Sequence, residues 1–246
     1  MPTILTYHRL GDVDDDFPKS NLYITPLEFE DQIQYLIKKK YLFITLDSII
    51  SEFEKESVLP KKCVAITFDD TTIDNYKLAF PILKKYNVKA TFFVVADRAL
   101  GLIDDEFKND FATIDQIKEM AQEEFIDIGS HTCTHPKLTK ITPEALEYEI
   151  INSKKKLEDA LGKKVNFFCY PYGDFNDNIA KMVKRAKYLG ATSTIRDNRN
   201  RRKHRYYMKR VMVMRKVELS HFAYYFSPLY HLEHYRKNKK LWGKYK

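Results

Sequence analysis

Short apolar runs alternate with longer amphipathic stretches along the chain. Residues 4–6, 64–68, 90–95, 126–129, 167–170, 191–195 and 211–213 read as buried strands, and 42–45 as one more. Between them apolar residues recur at helical spacing. Phe29, Ile33 and Leu36 form one stripe, Ile114, Ile117 and Met120 a second, and Leu146, Ile150, Leu157 and Leu161 a third. Local signals mark where these helices begin and end. Thr25-Pro26-Leu27-Glu28 is a capping box with Pro in the first turn, and Thr113 with Gln116 opens another helix. Thr142-Pro143 opens the longest helix, Gly162 stops it, and Asn176 caps a helix over 177–188. Pro81 interrupts the helical stretch 75–86 and predicts a kink or a break there. Strand and helix signals in alternation imply βα units and a parallel sheet. No repeat or linker divides the chain, so a single domain is expected over 1–229, followed by a basic aromatic tail over 230–246.

The strands carry the candidate chemistry at their ends. Residues 4–6 lead to His8, 64–68 to Asp69 and Asp70, 126–129 to His131 and His135, and 167–170 to Tyr172. The run 211–213 leads to Met214 and Arg215 and is the weakest of the set. In a barrel of parallel strands these groups meet at the rim formed by the strands' C-terminal ends. Two Asp, two His and a spare His on one rim suit a metal-assisted hydrolase. Adjacent Asp69 and Asp70 point in different directions, so one can bind a metal while the other handles a proton. His131 and His135 are four residues apart and would share one face of a helical turn, cut short by Pro136. Two His and one Asp form a facial set with open positions, suited to zinc and also to cobalt, nickel or iron.

The motifs around these residues resemble the polysaccharide deacetylases, carbohydrate esterase family 4. Thr67-Phe68-Asp69-Asp70 is similar to the family's first motif, Ser130-His131-Thr132-Cys133-Thr134-His135 to its second, and Phe168-Cys169-Tyr170-Pro171-Tyr172-Gly173 to its third. Thr6-Tyr7-His8-Arg9 resembles the start of the poly-N-acetylglucosamine deacetylase branch, where the general-acid histidine comes from the N-terminus. The resemblance implies a distorted (β/α)7 barrel with a divalent metal, zinc first, held by Asp70, His131 and His135. It implies Asp69 as general base, His8 as the acid for the leaving amine, and the Tyr172 N–H facing the oxyanion. Thr71 stands where the first motif continues with Gly, and Cys169 where the third often carries an Arg that orients the catalytic Asp. His221 is the candidate acid should His8 not serve. The implied activity is removal of the N-acetyl group from an N-acetylhexosamine glycan. Loss of a formyl or O-acetyl group from a sugar, or glycan binding without catalysis, are the alternatives.

Composition narrows the setting. An excess of Lys and Arg, 42 against 34 Asp and Glu, gives a formal charge of +8 and suits an anionic partner such as a phosphate-bearing or lipid-linked glycan. Arg196, Arg199, Arg201, Arg202 and Arg205 could grip phosphate or simply be solvated. No groove-reading or stacking motif supports specific nucleic-acid binding. The stretch 237–242 mixes Lys, Leu and Trp as membrane-surface segments do, although a docked C-terminal helix serves equally. Cys63, Cys133 and Cys169 are too few and scattered for a disulfide framework, and Cys133 should face away from a metal held by its His neighbours. No secretory signal or spanning segment is visible, which makes a cytoplasmic setting the default expectation. Tyr7, Tyr172 and Phe175 are candidates to line a sugar groove.

Overall fold

The computed structural model describes residues 2–17 and 19–241. Its parallel strands are β1 (Thr3–Tyr7), β2 (Cys63–Phe68), β3 (Ala90–Val94), β4 (Ile126–Ser130), β5 (Phe167–Cys169), β6 (Gly190–Arg196) and β7 (Met208–Met212). Each pairs with the next in sequence, and β7 returns to β1 with Val211 opposite Leu5, closing a barrel of seven strands. Leu42–Phe43 adds in parallel at the base of β2. The expected distorted (β/α)7 barrel is therefore the observed fold. No helix among the described residues is long and apolar enough to cross a membrane.

Strand alternation divides the core in two. Side chains such as Leu5, Tyr7, Val64, Ile66, Phe68 and Phe92 face outward and pack against the surrounding helices. Ile4, Ala65, Phe93, Phe167, Cys169 and Met208 face the barrel axis. Outside, the ring of Tyr7 stacks on Phe68 and meets Phe29 edge-on, and Phe68 stacks on Phe92 at 4.6 Å. Burying each such ring contributes about 1.5–3 kcal/mol. Inside, Phe93 fills the space beside Gly129, where a Cβ would sit 2.5 Å from its ring.

The caps read from the sequence are present. Thr25 and Glu28 form a reciprocal box at the start of Pro26–Lys38, as Thr113 and Gln116 do before Ile114–Gln122, and Asn176 accepts from the N–H of Ile179. The break near Pro81 is a π-helical turn, Asn75–Ala79, leading into Phe80–Tyr86. The longest helix is also interrupted, by a π turn at Tyr148–Asn152 between Pro143–Glu147 and Ser153–Leu161. The helix Asp177–Arg185 stops before the expected residue 188, because Lys187 turns left-handed and sends Tyr188 into the core.

The final helix, Pro228–Leu241, runs through the start of the expected tail. It docks on the barrel through buried Tyr230, His234 and Asn238, and the Asn238 amide donates to the Arg196 carbonyl. Residues 242–246, with the Trp242 of the membrane-surface reading, lie outside the described residues.

Candidate metal centre and active site

The inward parity that packs Ala65, Phe167 and Met208 inside the barrel also aims polar groups at its mouth. Asp69 follows Thr67 on β2, His131 follows Gly129 on β4, Cys169 follows Phe167 on β5, and Arg210 follows Met208 on β7. All four are buried.

Asp70, His131 and His135 converge. Asp70 Oδ1 lies 3.5 Å from His131 Nε2 and 3.3 Å from His135 Nε2, and the two Nε2 atoms are 3.2 Å apart. Donors bonded at 2.0–2.2 Å in a tetrahedral shell stand about 3.3–3.5 Å from one another, so these atoms fit around one divalent ion. The Nδ1–H of His131 donates to the Cys169 carbonyl at 2.8 Å, which turns the Nε2 lone pair toward Asp70. Burial works against protonating His131, but Cys169 and the Asp69 and Asp70 carboxylates outweigh it and raise the imidazole to about 10. Burial and neighbouring His131 push His135 down to about 4.

The two histidines do not share a helical turn, contrary to the sequence expectation. Thr132 and His135 both have left-handed backbones, at φ 71° and 66°. The Thr132 hydroxyl accepts the His135 N–H at 2.9 Å. Buried Glu149, on the π turn of the longest helix, accepts the N–H groups of Cys133 and Thr134 at 2.8 and 2.9 Å and the Thr134 hydroxyl at 2.6 Å. A loop clamped by one carboxylate therefore orients both rings. Cys133 faces away from the trio, with its thiol toward the Tyr148 carbonyl.

Asp69 lies beside His131, with ligand atoms within 4.8 Å, and its carboxylate meets Arg210, which sequence reasoning missed. The guanidinium donates to both carboxylate oxygens, at 2.7 and 2.6 Å, and also to Ser193 O and Thr67 Oγ1. Burial alone would raise the Asp69 carboxyl, but Arg210 outweighs it and holds the carboxyl far below the usual carboxylate range. The arginine that the resemblance places at 169 is thus replaced from β7, while the small Cys169 side chain lets Arg210 in, its thiol 3.3 Å from Nη2. Alternation along β7 was the available signal, since Arg210 shares the inward face with Met208.

His8 stands across from Asp69, its Nε2 3.7 Å from Oδ2. Asn75 donates to the His8 carbonyl at 2.8 Å, and Asp74 takes the Arg9 guanidinium and the Leu10 N–H. Those two residues therefore set the position of His8, and they too were missed. Thr71 keeps the backbone conformation expected of a glycine, at φ 51°, and its hydroxyl donates to the Phe93 carbonyl at 2.9 Å.

Tyr172 sits in a left-handed turn at φ 59°, and its backbone N–H makes no hydrogen bond among the described residues. Its ring is exposed beside His135, with centroids 4.7 Å apart, and Lys137 lies over it at 5.7 Å. Gly173 makes the turn possible: a Cβ there would lie 1.9 Å from Thr194 Oγ1. Tyr7 and Phe175 are buried in the core, so of the expected sugar-groove aromatics only Tyr172 is open to a substrate. His221 is not brought to the site; it is exposed and packs on Tyr224 and Tyr225. Arg215 pins the loop after β1 through Asp12 and Asp15.

Comparison with known proteins places this geometry. The polysaccharide deacetylase family profile matches residues 56–191. A Bacillus subtilis (strain 168) protein, YxkH, whose name assigns it to the polysaccharide deacetylases, is 30% identical over 226 residues, covering 92% of this chain and 76% of its own. The poly-beta-1,6-N-acetyl-D-glucosamine N-deacetylase of Staphylococcus aureus is 30% identical over 68% of this chain, which spans 59% of that longer protein. Among solved structures, the Streptococcus pyogenes deacetylase PplD in complex with acetate superposes with a TM-score of 0.83 at 27% identity, covering 92% of this chain and 98% of that one. IcaB from Ammonifex degensii shares the fold, with a TM-score of 0.76 at 24% identity and coverage of 92% and 96%. With its motifs, barrel and relatives in agreement, the chain belongs to the polysaccharide deacetylase family.

Proposed function

We propose that this protein is a metal-dependent N-deacetylase of an N-acetylhexosamine glycan. The observation that carries the reading is the convergence of Asp70 Oδ1, His131 Nε2 and His135 Nε2 at 3.2–3.5 Å beside an ionised Asp69. Asp70, His131 and His135 would hold a divalent ion, zinc being the best match to this donor set. When bound, such an ion polarises the acetyl carbonyl and lowers the pKa of its water from about 15.7 towards about 7.

The chain's own residues do the rest. Asp69, fixed in plane by Arg210, accepts the proton of the attacking water. The Tyr172 N–H receives the carbonyl oxygen as it gains charge, a contact worth about 3 kcal/mol. His8, on the far side of Asp69, delivers a proton to the leaving nitrogen, because an amine cannot leave as an anion. Each proton transfer contributes roughly 10²–10⁴ in rate. The exposed Tyr172 ring offers a face for the sugar.

The relatives support a poly-N-acetylglucosamine-like substrate, and the charge of +8 favours anionic or lipid-linked versions of it. Acetate release from N-acetylglucosamine oligomers tests the reading. Release that stops in Asp69→Asn and on chelation is expected. Release of formate or O-linked acetate, with the N-acetyl oligomers untouched, would overturn it.

A further inference from the structure

A cavity of about 460 Å³ lies on the flank of the barrel, lined by none of the residues assigned to the active site. It lies between the segment that joins β6 to β7 and the C-terminal helix. Its cations are Arg199, Arg201, Lys203 and Lys209, joined by the imidazoles of His204 and His231, and its only carboxylate is Asp197.

That carboxylate is already engaged. Asp197 is buried, its Oδ2 takes the Lys209 ammonium at 2.5 Å, and its Oδ1 takes His231 Nδ1 at 2.8 Å and the Arg199 N–H at 3.2 Å. No other carboxylate lines the cavity among the described residues. Arg199 and Arg201 are exposed and make no ion pair among the described residues, whereas neighbouring Arg202 and Arg205 both close on Glu54. With Asp197 already closed on Lys209, Arg199 and Arg201 leave positive charge in a partly enclosed space.

Enclosure shows in the titratable groups. Burial lowers the Lys209 ammonium below its usual value despite Asp197. Burial first, then the charges of Lys209 and Lys203, push His204 down to about 4. At the mouth, half-exposed Leu232 and Tyr235 add an apolar wall and a flat ring.

We propose that this cavity binds the phosphate ester of a phosphorylated saccharide. A phosphate monoester carries about −1.5 to −2 charges and matches the forked donors of arginine, which a single carboxylate satisfies less completely. The volume falls within the usual range for small-molecule sites and leaves room for a sugar ring against Tyr235. The site is independent of the deacetylase reading, since Lys209 faces outward where Arg210, next along β7, faces Asp69.

Calorimetric titration with glucose 1-phosphate, inorganic phosphate and glucose tests the proposal. The expected result is binding of glucose 1-phosphate near or below about 1 mM, tighter than inorganic phosphate, with none for glucose. In Arg199→Ala/Arg201→Ala it should weaken at least about tenfold, while acetate release from neutral oligomers is unchanged. Equal affinity in the double variant, or no binding to the wild type, would overturn the site. Equal affinity for inorganic phosphate would overturn the sugar part. Arginine-dependent binding to phosphatidylglycerol vesicles without glucose 1-phosphate binding would replace the saccharide by a lipid headgroup.

Discussion

Replacing Arg210 by Met should expose what the buried pair does. In the wild type the guanidinium and the Asp69 carboxylate are almost fully enclosed, with side-chain exposures of 1% and 4%. Met matches much of the volume but none of the five polar contacts to Ser193, Thr67, Asp69 and Cys169. A buried carboxylate stripped of its guanidinium is left behind, at a cost of about 3–5 kcal/mol. For a domain of this size that lowers Tm by about 6–20 °C.

The pH dependence gives the sign of the effect. In the wild type the Asp69 carboxyl is held down, so its contribution to stability is present above the ordinary carboxylate range and is lost only as pH falls below about 4. Without Arg210, burial is opposed only by the weaker pull of His8 and His131 and raises the carboxyl. The variant should then lose stability as pH rises above about 4. Adding Asp69→Asn removes the charge and should restore at least about 1.5 kcal/mol. Melts of wild type, single and double variants between pH 4 and 8 provide the assay. A loss under about 1 kcal/mol in Arg210→Met, or no recovery in the double variant, would refute the argument.

Three further outcomes follow from other contacts. Glu149→Gln loosens the loop between His131 and His135 and should weaken metal affinity about 10–100-fold in a chelator competition, unchanged affinity counting against the clamp. Gly173→Ala drives a Cβ into Thr194 and should cut kcat about 10²-fold by displacing the Tyr172 N–H, with partial rescue by Thr194→Gly; a rate near wild type would remove that N–H from the mechanism. Asp127, on β4, has a buried oxygen without a partner among the described residues, and burial, then Asp47, raise its carboxyl to about 7. It contributes stability below about pH 4 that is lost as pH rises towards 7, so Asp127→Asn should stabilise by about 1–3 kcal/mol at pH 8 and little at pH 4. Equal effects at the two pH values would contradict it.

The barrel was legible in the sequence because its determinants are local. Runs such as 64–68 are apolar on both faces, and Thr25, Thr113 and Asn176 cap helices a few residues away. The rim groups were legible because they follow those runs directly. The partners that position them were not, because they come from distant segments. Arg210 meets Asp69 across 141 residues of chain and was masked by the surrounding arginines, most of which lie on the surface. Glu149 lay hidden in a helical stripe, where a π turn, invisible to a pattern of 3.6 residues, swings it beneath the loop that carries His131 and His135. The His131–His135 spacing suggested a shared helical turn, whereas left-handed Thr132 and His135 bring the two rings together on a different backbone.

The central claim is that Asp70, His131 and His135 hold one catalytic divalent ion. Elemental analysis of purified wild type and His131→Ala, with acetate release followed on the same samples, tests it most directly. About one zinc-like ion per chain in the wild type, lost together with activity in the variant, is the predicted result. Acetate release by protein that holds no metal, even after reconstitution and chelation, would contradict it.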